Sequence, residues 1–238
     1  MPDFTRRSSE PELMDDLTLA SDDLRQNLDE LEVINTRLGG YRVVLNALQR
    51  LRPRLPAGRP VRIADLGSGG GDTLRRVAQW ARQQDLAVEL VGLDANAFMV
   101  DYARARSQAY PEIEFKQQDI FAPDFALQRY DVVMCSLFCH HFAAQELVPM
   151  LRQWREQAHV AVVINDLHRH PLAYHSIKWL TRLLGGSYLV QNDAPLSVAR
   201  AFRRTDWEEL LATAAITRYE LRWQWAFRWQ LIIEGAGE

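Results

Sequence analysis

The stretch Asp65-Leu66-Gly67-Ser68-Gly69-Gly70-Gly71-Asp72 sets an acid and three alternate glycines before a helix-forming run, Thr73-Leu74-Arg75-Arg76-Val77-Ala78. Glycine permits positive φ and lets a ligand approach bare backbone that a Cβ would obstruct. The helix start behind such a loop presents unpaired N–H groups and the positive end of its dipole. The chemistry on offer is reception of a phosphate, or of the polar part of a nucleoside-bearing cofactor. A dinucleotide fingerprint, G-x-G-x-x-G, fails because Asp72 stands in place of the third glycine and would repel a pyrophosphate. That disfavours a nicotinamide oxidoreductase. A P-loop fails for want of its lysine and its spacing.

A second set of reactive side chains is histidine. His140 and His141 are adjacent, and His168, His170 and His175 lie within one short run behind Asp166. Histidine titrates near neutrality and so suits proton transfer. His168 and His170 are two apart, unlike the H-E-x-x-H helix pattern, so no metal is expected. Cys135 and Cys139 suggest neither a disulfide framework nor a C-x-x-C site. The run from Arg222 to Trp229 mixes arginine with aromatics, but it reads as a hairpin edge with arginine stems lying over indoles. With a net charge of −3 the chain has no global basic field, and no nucleic-acid partner is expected.

These residues need elements to position them. From residue 61 strands and helices alternate, which implies a mostly parallel sheet with helices on both faces. Val61–Leu66, Val88–Leu93, 112–116, 131–136 and 160–166 read as five strands. Asp65, Asp94, Asp119, Ser136 and Asp166 then stand at five strand ends on one rim, where open parallel sheets bind ligands. Tyr219 to Trp225 and Phe227 to Ile233 are the last two strands. Ahead of the sheet, residues 11–50 read as helical, broken at Gly39-Gly40, with Leu24, Leu28, Leu31 and Ile34 forming an apolar stripe. Residues 1–12 are polar and expected to be loose. Residues 172–184 read as an apolar helix, 187–202 as an irregular wall, and Thr205 with Glu208 as a capping box.

The glycine stretch resembles the first motif of the class I S-adenosylmethionine-dependent methyltransferases, and the strand-end acids strengthen the likeness over residues 61–166. The stretches Leu137–Phe142, Asn165–Arg169 and Leu196–Arg200 are similar to a bacterial small-molecule group related to ubiquinone and menaquinone methyltransferases. The resemblance implies a Rossmann-like, seven-stranded, mostly parallel sheet with an antiparallel last strand and an N-terminal helical cap. It implies S-adenosyl-L-methionine as cofactor. The glycine loop (Gly67, Ser68, Gly69, Gly71) and Asp65 would receive the methionine part, whose ammonium an acid suits. Asp94, with Ala95, would hold the ribose hydroxyls, unless Asp94 only caps a helix. Asp119 with Ile120 would meet adenine, and Ser136 lies on the same rim. Arg42 or Arg37 is a partner for the cofactor carboxylate.

Methyl transfer from a sulfonium is an in-line displacement that needs collinear atoms and, for a phenol or acidic carbon, a base. His141 and His168, each just beyond a strand, are the candidate bases, with Asp166 placed either to orient His168 or simply to cap the strand. No Asn-Pro-Pro-Tyr-type motif or Pro-Cys nucleophile follows the fourth strand, which favours a small acceptor over a nucleic-acid base or amide. The expected reaction methylates oxygen, ahead of carbon, of a largely apolar phenolic, polyketide or quinone-like molecule. The alternative is a cofactor-binding pseudoenzyme. With 238 residues and 47% hydrophobic content the chain suits one α/β domain (53–238, with a wall over about 167–204) behind a cap (1–52). No run approaches a membrane span, and the first residues lack a signal-peptide core. A cytoplasmic protein, with a homodimer open, is the expectation.

Overall fold

The computed structural model describes residues 3–16, 22–183 and 185–237. Its centre is a seven-stranded sheet of β1 (Val61–Leu66), β2 (Val88–Asp94), β3 (Ile113–Gln117), β4 (Tyr130–Ser136), β5 (Ala158–Leu167), β6 (Tyr219–Gln224) and β7 (Arg228–Glu234). The strand order is β3-β2-β1-β4-β5-β7-β6, with β7 antiparallel to both neighbours. The first five strands are parallel. β1, β4 and β5 are near-continuous apolar runs because helices cover both faces, and a strand buried on both sides has no solvent face to keep polar. The order reverses between β1 and β4, and that switch point opens a crevice at the carboxyl ends of the strands.

One face of the sheet packs on α2 (Gly40–Leu51), α3 (Asp72–Gln83) and α4 (Ala97–Arg106) through Leu48, Val77 and Val100. The other packs on α5 (Ala144–Gln157) and α8 (Arg204–Thr213) through Leu151, Trp154 and Trp207. Trp207 is fully buried and stacks on Phe202 with ring centroids 4.1 Å apart. Trp207→Ala should therefore cost about 3–5 kcal/mol of stability in urea unfolding. Its indole N–H has no partner, so Trp207→Phe should cost far less.

Over the carboxyl rim lie α1 (Asp22–Arg37), α6 (Pro171–Leu183) and α7 (Tyr188–Arg200). Four local expectations are corrected. Residues 187–202 are not irregular: Ser187 caps α7, its Oγ accepting from Val190 N at 3.3 Å. The returning acid of α8 is Asp206, which accepts from Arg203 N at 2.6 Å, so the helix starts before Thr205. The N-terminal segment is tied down: Ser8 N donates to Ala199 O, and Arg7 donates to the carbonyls of Arg200, His140 and Phe142. Arg228 is no surface stem but a buried side chain at the start of β7. Among the described residues no helix is long and apolar enough to cross a membrane.

Candidate functional site

The crevice is a cavity of about 440 Å³. Its floor is the glycine loop and the ends of β1, β4 and β5; its walls come from α1, α6, α7 and the β6–β7 turn. Leu28, Leu31, Ile34, Ile177, Leu180 and Val198 make the walls largely apolar.

At the floor, Asp65 is fully buried and its Oδ1 has no hydrogen-bond partner. Burial, reinforced by Asp72 and Asp94, pushes its carboxyl well above the usual range. A carboxylate left so is costly unless a donor or cation reaches it. Ser68 Oγ and both amide atoms of Asn27 are also buried and without partners, and both residues line the cavity. Gly67 has φ +64°, and a Cβ there would collide with the Phe138 ring, so this glycine answers to packing as well as to a ligand. Leu28 of α1 lies over Gly69 and Gly70, and Arg75 joins Gly70 O (2.7 Å) to Glu32 of α1 (2.9 Å). Tyr41 donates to Asp72 Oδ2 at 2.6 Å.

Asp94 is buried; its Oδ2 accepts from Gly69 N and its Oδ1 from Asn96 N, both at 2.9 Å. The cap of α4 is Asn96, whose side chain accepts from Phe98 N. Asp94 thus ties the glycine loop to the end of β2, and an ionised carboxylate still has lone pairs to offer. Ala95 is half-buried beside it, and its carbonyl accepts from Gln117. Asp119 is exposed beyond β3, its Oδ1 accepting from Phe121 N, while Ile120 packs against the core. Ser136 lines the cavity, and its Oγ accepts from Asn165 at 3.4 Å.

A polar cluster also lines the cavity. After β4 the chain makes a short turn, Cys139–His141, that brings both histidines to the cavity. His140 Nδ1 lies 2.8 Å from Asp166 Oδ1, and Asp166 also accepts from the backbone N of His140 and of Leu167. Against the cost of full burial, the His140 contact keeps Asp166 below the usual carboxylate range. His141 Nδ1 lies 2.6 Å from Asp15 Oδ1, and Arg200 holds the other Asp15 oxygen at 2.5 Å. Those two partners outweigh burial and lower the Asp15 pKa. Glu12 is almost wholly buried, accepts from Ser197 Oγ at 2.9 Å, and points Oε1 at His140 Nε2, 3.5 Å away, with no donor. Burial pushes its carboxyl up to about 7.

Several expected site residues lie outside the cavity: Gly71, Asp94, Ala95, Asp119 and Ile120 do not line it, nor do the expected base His168 and the expected carboxylate partners Arg42 and Arg37. His168 does not line the cavity: the chain turns there to bridge Phe202, and the ring sits among His170, Phe227 and Trp229, accepting from Trp223 Nε1 at 3.2 Å. Burial and His170 lower its pKa to about 4. Asp166 therefore orients His140 and not His168. Arg42 and Arg37 are exposed and outside the cavity. The guanidinium that does line it is Arg228, which gives one N–H to Asn35 Oδ1 at 2.8 Å and keeps Nε and Nη1 without partners. Glu12, Asp15, Asn27, Arg200 and Arg228 were missed by sequence reasoning. The first two sit in a polar, aperiodic segment, and only their spacing from Arg200 in the folded chain gives them meaning.

Comparison with known proteins places this geometry. Residues 63–178 match a family model described as a methyltransferase domain. No curated protein matches the chain. Among solved structures, the plantazolicin methyltransferase BpumL in complex with SAH aligns over 89% of this chain and 99% of its own, at 16% identity and a TM-score of 0.63. An O-methyltransferase family protein from Burkholderia thailandensis aligns over 88% and 60%, at 18% identity and a TM-score of 0.61. The citrinin polyketide synthase CMeT domain aligns over 80% and 50%, at 18% identity and a TM-score of 0.58. The chain spans about half the length of this last chain and of two further carbon methyltransferases. At these identities the likeness is one of fold.

Proposed function

We propose that the chain, whose residues 63–178 match a methyltransferase-domain model, is a class I S-adenosylmethionine-dependent enzyme that methylates a small, largely apolar acceptor of phenolic, polyketide or quinone-like chemistry, on oxygen in preference to carbon. The observation that carries this reading is one largely apolar cavity that two polar groups share. The partnerless buried Asp65 at the glycine loop and the Glu12–His140–His141 cluster both line it, and most of the remaining lining is apolar.

The residues present fit S-adenosylmethionine, which when bound supplies an electrophilic methyl on a sulfonium. Asp65 would take its ammonium, which removes the cost of an unpaired buried carboxyl. Asn27 offers amide donors for its carboxylate, and the free lone pairs of Asp94 suit ribose hydroxyls. Asp119 and Ile120 are the proposed adenine neighbours. Residues 1–52 act as a cap: α1 lays Leu28 over the glycine loop, and the segment before it delivers Glu12 and Asp15 to the acceptor end.

At that end the cluster is rich in acceptors. With its Nδ1 engaged by a carboxylate, each histidine has Nε2 left to meet an acceptor, and Glu12 Oε1 has no hydrogen-bond donor. An acceptor O–H supplies the missing donor, whereas a C–H acid would leave Glu12 Oε1 unsatisfied. That favours oxygen. The cluster takes the hydroxyl proton while the apolar walls hold the ring and exclude water. The test is incubation of the chain with methyl-labelled S-adenosylmethionine and a panel of alkyl phenols, quinols and β-keto esters, with products located by mass spectrometry. Label in the methyl ether of an apolar phenol or quinol is expected. Label confined to carbon, or to protein or nucleic acid, contradicts the reading.

A further inference from the structure

Glu12, His140 and His141 meet in a way that proton transfer alone does not require. One ligand-competent atom of each lies within 4.8 Å of the other two. Each of the three is also held from behind. Asp166 fixes His140 through Nδ1, Asp15 fixes His141 through Nδ1, and Ser197 fixes Glu12 through its other oxygen. With Nδ1 engaged by a carboxylate, Nε2 is the nitrogen each imidazole has left for a ligand. Carboxylates on the remote nitrogen of histidine and a hydroxyl on the remote oxygen of a carboxylate are the supports that metal ligands need. His140 Nε2 faces Glu12 Oε1 across 3.5 Å with no hydrogen-bond donor between them. A contact so placed in a buried site is satisfied by a proton held between the two atoms or by a cation bound to both.

We propose that Glu12, His140 and His141 bind one divalent transition-metal cation of the zinc or cobalt type. Two imidazoles and one carboxylate match the donor preference of those ions, and three protein ligands leave a fourth position open. That position falls toward the cavity, since all three residues line it and His141 is the least buried of them. The surrounding charge permits a cation: Glu12, Asp15, Asp166 and Asp193 stand against Arg7 and Arg200. Arg200 comes within 3.8 Å of Glu12 Oε1, but its donors are directed at the carbonyls of Glu10, His140 and His141 and at Asp15. With an ion in place, an acceptor hydroxyl would enter as the fourth ligand. The ion would then take over from the cluster's own proton uptake: the O–H bond would break with its proton leaving to bulk water, and the oxygen would keep the electron pair for the methyl group.

The test uses the full, tag-free chain stripped with chelator and titrated calorimetrically with Zn²⁺ or Co²⁺ alone, with visible absorption of the Co²⁺ form as a second readout. One equivalent per chain is expected, with the ligand-field bands of a four-coordinate cobalt site. Glu12→Gln and His141→Ala should abolish that uptake, Asp166→Asn should weaken it about 10–100-fold, and a His168→Ala, His170→Ala double variant should bind as wild type. Circular dichroism and urea unfolding confirm that each variant is folded. No stoichiometric uptake by the wild type overturns the proposal, as does uptake that survives Glu12→Gln and His141→Ala or is lost with His168 and His170. Because the titration contains neither cofactor nor acceptor, its outcome is separate from that of the methyl-transfer assay.

Discussion

Replacing Asp65 with asparagine is expected to weaken S-adenosylhomocysteine binding by roughly 3–4 kcal/mol, or about 10²–10³-fold, while raising the melting temperature of the ligand-free chain. The two effects share one cause. Asp65 is fully buried, Asp72 and Asp94 are near it, and its Oδ1 has no partner. Its folded-state pKa is raised well above that of the unfolded chain. Below about pH 4 both states are protonated and Asp65 is neutral in its effect. As pH rises above that, the unfolded chain ionises while the folded chain holds its proton, so stability falls up to the folded pKa. Asparagine removes that slope. The same substitution deletes the charge proposed to meet the cofactor ammonium, so affinity is lost. Melting curves between pH 5 and 8, with and without S-adenosylhomocysteine, check both halves. A variant that binds normally, or that melts lower than wild type at pH 7 without ligand, contradicts this role for Asp65.

The second large effect separates two histidines that look equivalent in the sequence. His141→Ala should cut methyl transfer about 10²–10⁴-fold at unchanged cofactor affinity. His168→Ala should leave turnover within a few-fold of wild type. His141 lines the cavity beside Glu12 and His140, and Asp15 keeps Arg200 as a partner after the change, so the fold is spared. His168 sits in an aromatic nest of His170, Phe227 and Trp229 outside the cavity. Initial rates with any acceptor found by the labelling panel decide the matter. Equal losses in both variants would mean that the cluster does not face the acceptor.

The sheet was legible because its signals are local. β1, β2, β4 and β5 are largely apolar runs with a small or acidic residue at or beside their ends, β3 (Ile113–Gln117) alternates instead, and a parallel sheet puts those ends on one rim whatever the helices do. Asp65, Asp94 and Ser136 could thus be placed from sequence alone. The helical rim was harder. α7 carries Pro195, Asn192 and Asp193 inside an otherwise helical run, so periodicity hid it, and tertiary contacts such as Asp193 with the N–H groups of Leu13 and Met14 hold it in place. In α8 the Thr205–Glu208 pair imitated a cap while Asp206, which also binds Arg169, supplied the real one. The acceptor end was least legible. Its function rests on pairs separated by more than 120 positions, His141 with Asp15 and Arg200 with Asp15 among them, and no spacing rule connects such residues. Arg228 was misjudged for a related reason. Strand alternation says which face it takes, but α1 and α2 decide that this face is buried.

The most direct test of the account is a calorimetric titration of the full chain with S-adenosylhomocysteine, set beside identical titrations with NAD and ATP. A single site that takes S-adenosylhomocysteine, loses it in Asp65→Asn, and ignores NAD and ATP is the predicted result. Binding of NAD with no response to S-adenosylhomocysteine would contradict it.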